Sequence, residues 1–411
     1  MILLLACTGS APDDDALPEI VPAEVLDSMD WRRVQGLTEL LTDDSLGGRV
    51  PGSPGHAAAR DLLLGELSAF EPYLEEGYGW DYASSVPSDR WMLDEDGQIA
   101  PATNETSTNL LALLPGSDPL LSSQIIVVMA HYDHLGVTEE GEVFNGAFDD
   151  AVGVAAVIEL GHALQQLELD RSVLLLLTDD EESGLVGADE FLDANLVPHE
   201  DIVFGISVDP MGRGVLPDAW PLALMGLERS PELLAQWEAL VPYSEVPVAF
   251  VHREILPIFA SDQDRFYEQE PAIPAVWFTS PGMAFYHTVG DDSETIDYRS
   301  VRAQSRWLLQ VVAYFANDDR VFEDHGEPEL GPEHAAGARP LIASVAESSY
   351  LTDFERAEVQ TMLAELDEVI EADDINALGN PGAFFFDAIK RLCFDLPAAH
   401  PGDIPPPFPE D

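Results

Sequence analysis

Lysine is almost missing: Lys390 stands alone in 411 residues, and 18 Lys and Arg face 77 Asp and Glu, a formal net charge of −59. A surface this negative repels phosphate backbones and anionic headgroups, which argues against nucleic-acid binding and docking on anionic membranes. It suits a salty medium, where ions screen the self-repulsion. Cysteine is scarce as well, and Cys7 with Cys393 can build neither a disulfide framework nor a thiolate zinc cage. No apolar run approaches the length of a membrane span. No G-x-G-x-x-G or phosphate loop follows a strand, and neither G-x-S-x-G nor H-E-x-x-H occurs. Their absence sets aside nucleotide cradling, a serine nucleophile elbow and a zinc site built on one helix.

What is present is core material. Hydrophobic residues make up 46% of the chain and aromatics 9%, enough for a large packed interior. Asn109–Leu114 reads as a candidate strand, and four more short apolar runs, Ile125–Met129, Val173–Leu177, Ile202–Val208 and Ile273–Phe278, read as strands buried on both faces and running parallel. Helical patterns lie between and after them, with Val154, Ile158 and Leu164 in one and Val301, Leu308, Val311 and Phe315 in another. Ser53-Pro54 reads as a helix start, with Ala59, Leu63, Leu67 and Phe70 on its inner face. The expected fold is α/β, a mixed and mostly parallel sheet between helices, spanning residues 27–319. Residues 320–411 are expected to form a linker around Gly331-Pro332, a helix at about 353–372 and a mobile proline-rich tail. Residues 1–26 read as a leader and flexible tether. Within them Leu4-Leu5-Ala6-Cys7 resembles a bacterial lipobox, which implies an exported protein, periplasmic, surface-bound or secreted, with any membrane contact made through lipid on Cys7.

Chemistry-bearing side chains follow the apolar runs: His131, Asp133 and His134 after the second, Asp179, Asp180, Glu181 and Glu182 after the third, Asp209 after the fourth and His287 after the fifth. Asp149 and Asp150 open the helix expected near Ala151. Ligands in open α/β sheets bind outside the carboxyl ends of strands, so these clusters form one site. Imidazole and carboxylate without thiolate suit zinc and similar divalent ions, and this many donors suit two ions better than one.

In family order, LGGRVPGSPG (46–55), NLLALLPG (109–116), IIVVMAHYDHLG (125–136), NGAFDDAVGVAAVIELG (145–161), TDDEESGLVGAD (178–189), SVDPMG (207–212), SDQDRF (261–266) and FYHTVGDDSETID (285–297) resemble the co-catalytic dinuclear zinc aminopeptidases, metallopeptidase family 28. The resemblance implies an α/β/α sandwich, two zinc ions and a peptide substrate. It implies that Asp149 bridges the zincs, that Glu182 and His287 complete one site and that His131 and Asp209 complete the other. Glu181 becomes the general base, Asp133 the residue orienting His131, and the Asp149–Asp150 bond cis. Three ligand carboxylates and one hydroxide carry −4 against +4 for two zinc ions, so such a site is near neutral. Phe148, Val152 and Gln263 depart from the family pattern. The rivals within the fold are a carboxypeptidase, for which Arg213 or Arg265 would hold the substrate carboxylate, and a one-zinc glutaminyl cyclase. A non-catalytic binding ectodomain is the rival of another class. The remaining polar residues are read blandly: Asp179 and Asp180 as surface acids, His56 and His162 as surface residues on helices, His134 as packing or hydrogen bonding, Tyr286 as pocket wall, and Asp291, Asp292 and Glu294 as caps of the helix near Asp297. Oligomeric state and side-chain preference leave no mark in the sequence.

Overall fold

A computed structural model describes residues 17–103, 106–253 and 260–396. The lipobox-like start and the proline-rich tail lie outside them.

Among the described residues eleven strands form: β1 (Glu71–Pro72), β2 (Gly79–Ala83), β3 (Trp91–Leu93), β4 (Ile99–Pro101), β5 (Thr106–Leu114), β6 (Ile125–His131), β7 (Ser172–Thr178), β8 (Ile202–Val208), β9 (Leu222–Met225), β10 (Val248–Val251) and β11 (Ala275–Thr279). β3 and β4 pair as a separate hairpin. The rest make one sheet ordered β1-β5-β7-β6-β8-β11-β9-β10, with β2 also on β5. The centre, β7-β6-β8-β11, is parallel, whereas β5 runs antiparallel to β7 and β9 antiparallel to β11. The four runs read as parallel strands are parallel, and β5, the candidate strand at Asn109–Leu114, supplies an antiparallel neighbour in a sheet expected to be mixed. Burial on both faces fixes composition but not direction, and only ten residues join β5 to β6, too few for a crossover helix. β9 and β10, four residues each, carry too little pattern to be read from sequence.

Alternation along the strands sorts the layers. Val128 and Ala130 face one side with α1 (Ala23–Ser28), α2 (Trp31–Leu41), α3 (Pro54–Leu67), α4 (Val152–Leu164), α6 (Pro231–Leu240) and α8 (Tyr298–Ala316), while Val127 and Met129 face α5 (Val186–Asp193) and α7 (Gln263–Tyr267). α3 starts as read: the Ser53 side chain accepts from His56 N–H and proline follows, with Ala59, Leu63 and Leu67 fully buried. The leader expected up to residue 26 ends earlier, because Val21 and Val25 insert into the main core beside α4.

The expected linker is coil only over 318–331. Pro332 opens α9 (Pro332–Ala346), where proline at the first position costs no hydrogen bond. α10 (Asp353–Ala372), the helix expected at about 353–372, begins with a capping box between Thr352 and Glu355, and α11 (Pro381–Lys390) follows. Leu341, Ile342, Phe385 and Ile389 from this group bury Met225, Val251 and Trp277, the face of β9, β10 and β11 opposite α6. The C-terminal helices thus complete the second layer, since without them those apolar side chains would meet water.

Candidate functional site

Each donor is delivered by a strand end. His131 is the last residue of β6. Glu181 and Glu182 form a short turn just after β7, and Asp209 follows β8. His287 lies on the loop leaving β11. Asp149 sits in an irregular turn before α4, and its bond to Asp150 is cis. Gly153 is required there, because a Cβ would lie 2.1 Å from Asp150 Oδ1.

These side chains converge as two triads sharing one carboxylate. Asp149 Oδ1 is 3.0 Å from His131 Nε2, which is 3.6 Å from Asp209 Oδ1. Asp149 Oδ2 is 3.1 Å from His287 Nε2, which is 3.1 Å from Glu182 Oε2. All five residues with ligand chemistry are brought together. His134, read as a hydrogen-bonding residue, stands with Nδ1 2.8 Å from Glu182 Oε1 and joins the second group of donors. His287 is the open side, with 36% of its side chain exposed, and Tyr286 stacks on it at 3.9 Å.

The electrostatics ask for cations. Burial works against a charged His131, yet Glu181, Asp133, Asp149 and Asp209 together hold its imidazole well above the ordinary range. Burial likewise opposes ionisation of Asp149, and hydrogen bonds from His131 and His287 still carry its carboxyl well below the usual range. Glu182 is drawn to about 2 by His134 and His287, against burial and the Asp149 charge. His287 rises to about 10 on Asp149 and Glu182, against burial. Imidazolium protons answer here the demand that a divalent cation would answer better. Asp149 and Glu182 face imidazole nitrogens on both of their oxygens, which is how ligands around a shared cation are disposed. One imidazole nitrogen and two carboxylate oxygens per triad fit zinc.

Supporting residues do more than the sequence suggests. Asp133 faces His131 Nδ1 at 3.5 Å, and its two oxygens also accept the N–H groups of Glu181 (3.0 Å) and Glu182 (3.2 Å). One carboxylate therefore sets the histidine and the glutamate turn together. Asp179 and Asp180 are fully buried, contrary to the surface reading. Asp179 accepts from His56 Nε2 (2.8 Å), Thr108 N–H (2.7 Å) and Tyr132 O–H (2.9 Å), and His56 is buried with it. An acid run in sequence looks solvated, and only the fold reveals these partners. His162 is half-buried against Phe70. Asp292 caps a short turn and Asp297 caps α8, but Asp291 is no cap. It is buried, accepts from the N–H groups of Phe148 (2.9 Å) and Asp149 (3.2 Å), and pairs with Arg213 at 3.0 Å. Arg213 also lies over the rings of Phe148 and Phe285, which accounts for an aromatic residue at 148. Gln263 is buried and donates to Asp264.

Sequence reasoning missed Arg49. Its guanidinium is fully buried and donates to the carbonyls of Leu41, Tyr132, Asn145 and Gly146, tying the His131 loop to the turn that carries Asp149. Burial lowers it to about 10. The available signal was a lone basic residue between glycines and valine in a chain poor in cations. Gly48 beside it, at φ +69°, leaves room for the Gly136 carbonyl, which a Cβ would meet at 2.0 Å.

Several known proteins share this architecture. The aminopeptidase from Aneurinibacillus sp. strain AM-1 is 16% identical, with TM-score 0.55 over 74% of this chain and 98% of that one. The Legionella pneumophila LapA aminopeptidase is 16% identical, with TM-score 0.56 over 74% and 77%. Bacteroides thetaiotaomicron glutaminyl cyclase is 17% identical, with TM-score 0.51 over 69% and 98%. Among curated relatives, the vacuolar membrane protease of Lachancea thermotolerans is 24% identical over 221 residues, 53% of this chain, which spans about a fifth (21%) of that protein. Residues 109–312 match peptidase family M28, a stretch that runs from β5 through most of α8 and holds every donor described above. By that match residues 109–312, just under half of the chain, carry a peptidase family M28 domain.

Proposed function

We propose that this chain is a two-zinc aminopeptidase that removes residues from the free N-termini of peptides. The observation that carries the reading is Asp149 placing one oxygen in each of two imidazole–carboxylate triads. His131 and Asp209 would hold one zinc, Glu182 and His287 the other, with Asp149 between them. Zinc bound there would lower the pKa of water and polarise the scissile carbonyl. Glu181 lies beside the ligands on the turn pinned by Asp133. It takes the proton from the attacking water and passes it to the leaving amine. Burial, with Asp209 and Asp262 adding to it, raises the Glu181 carboxyl well above its ordinary range despite His131, which favours proton exchange at that atom. The open His287 side gives the peptide its entry.

The two arginines that could serve a carboxypeptidase are engaged elsewhere. Arg213 is buried against Asp291, and Arg265 pairs with Asp189 and Glu268. This favours a substrate recognised by its amine. A panel of free-amine, N-blocked and C-blocked dipeptides, with and without chelator, tests the reading. Chelator-sensitive cleavage of free-amine and C-blocked substrates only is expected, and cleavage of N-blocked dipeptides would overturn it. Ammonia release from N-terminal glutamine without hydrolysis would move the assignment to a cyclase.

A further inference from the structure

Away from the carboxyl ends of β6, β7 and β8, Glu228, His252 and Glu327 place one donor atom each within 4.8 Å of one another. They come from three separate segments: Glu228 from the turn after β9, His252 from just after β10, and Glu327 from the 318–331 coil that leads to the C-terminal helices. We propose that these three residues form a further divalent transition-metal site, of the zinc class, that clips the C-terminal extension to the edge of the sheet.

The argument rests on how each donor is held. His252 is buried, and its Nε2 is 3.1 Å from the carbonyl of Pro328. A carbonyl only accepts, so Nε2 carries the proton, and in the neutral ring Nδ1 presents a lone pair. That nitrogen faces Glu327 Oε1, another acceptor, at 3.3 Å. A positive centre between them, an imidazolium proton or a metal ion, satisfies both. Two ligands about 2.0–2.1 Å from a tetrahedral zinc lie roughly 3.3 Å apart. A backbone carbonyl on the far imidazole nitrogen is also the usual arrangement that fixes a ligating histidine. The carboxylates are oriented in the same manner. Glu327 Oε2 takes Arg229 Nη1 at 3.0 Å, leaving Oε1 for the centre. Glu228 accepts from Gly226 N–H (2.9 Å) and Arg253 N–H (2.6 Å).

Charge counting agrees. Glu228, Glu327 and Asp324 bring −3, Arg229 returns +1 through its pairs with Asp324 and Glu327, and Arg253 is matched by Asp264. The cluster is left net negative, with Glu333 at the same cleft adding to it, which a divalent cation would offset. An imidazole among the donors disfavours calcium and magnesium and favours zinc-like ions. Glu228, His252, Glu333 and His334 line one open cleft, which gives an ion its route.

The test uses the full chain and zinc alone. After chelation and equilibrium dialysis in moderate salt, wild type is expected to hold one more equivalent than Glu327→Gln, a change on a solvent-facing coil that leaves the fold intact. His252→Gln should lose the same equivalent, and anilide turnover should stay at the wild-type level in Glu327→Gln. Asp149→Asn, which alters the shared carboxylate of the strand-end site, should keep this equivalent and lose it when combined with Glu327→Gln. The difference between Glu327 variants therefore reads this site whatever the other centre holds. Limited proteolysis across 318–331 should speed up on chelation in wild type and be insensitive to chelator in Glu327→Gln. Equal zinc content in wild type and Glu327→Gln would overturn the proposal and leave an imidazolium held between two glutamates.

Discussion

Two regions of one sheet use the same kinds of side chain in different ways. At the carboxyl ends of β6, β7 and β8, donors crowd a buried rim, and each is braced by buried partners: Asp133, Asp291, Arg49 and the His56–Asp179 pair. At the β9–β10 edge, donors sit between the sheet and a coil, braced by backbone groups and one arginine. The first arrangement suits chemistry, because fixed dipoles and excluded water strengthen every interaction with a reacting atom. The second suits tethering, because its members lie far apart in sequence and one of them faces solvent. Trp277 joins the regions: its indole N–H donates to the Asp209 carbonyl while its ring packs among the C-terminal helices.

The contrast can be broken most sharply at Glu181. Glu181→Gln is expected to lower kcat by about 10²–10⁴-fold with zinc content unchanged, the size of effect general acid–base catalysis supplies. Full activity in that variant, measured on amino-acid anilides, would remove the base assignment. His131→Ala should lower zinc content at the strand-end site, and unchanged stoichiometry by elemental analysis would refute its role as ligand. Phe385→Ala, in the core beneath the C-terminal helices, should cost about 3–5 kcal/mol by denaturant unfolding. A change below 1 kcal/mol would show that those helices are accessory to the sheet.

Salt and pH give finer readings. With −59 net charge, stability should rise from no salt to molar salt, and a flat response would exclude screening as the reason for the acidic surface. His56 is the smallest of these effects. Burial alone would lower its pKa, but Asp179 raises it above the ordinary value. Its contribution is thus fully present below about pH 6.5 and fades as pH rises through the raised folded value. The stability gap between wild type and His56→Gln should narrow over that window; a gap constant with pH would mean the pair acts by packing alone.

How far the site could be read in advance depended on residue type. His131, Asp149, Glu182, Asp209 and His287 were legible as members of polar clusters that follow apolar runs or open a helix, and the family resemblance singled them out within those clusters. Arg49, Asp291 and the buried role of Asp179 were not legible. Their partners are backbone groups and side chains from segments 71 to 143 residues away, and nothing local distinguishes a buried acid from a solvated one.

The sequence by itself determined the strand cores, the helix starts at Ser53 and Thr352, and the set of donors, since apolar periodicity and capping chemistry act over a few residues. Only the tertiary structure decided that β5 runs against its neighbours, that the C-terminal helices cover the far half of the sheet, and that Glu327 comes within reach of His252. Those outcomes depend on which surfaces remain to be buried once the first layers have packed, and that is a property of the whole chain.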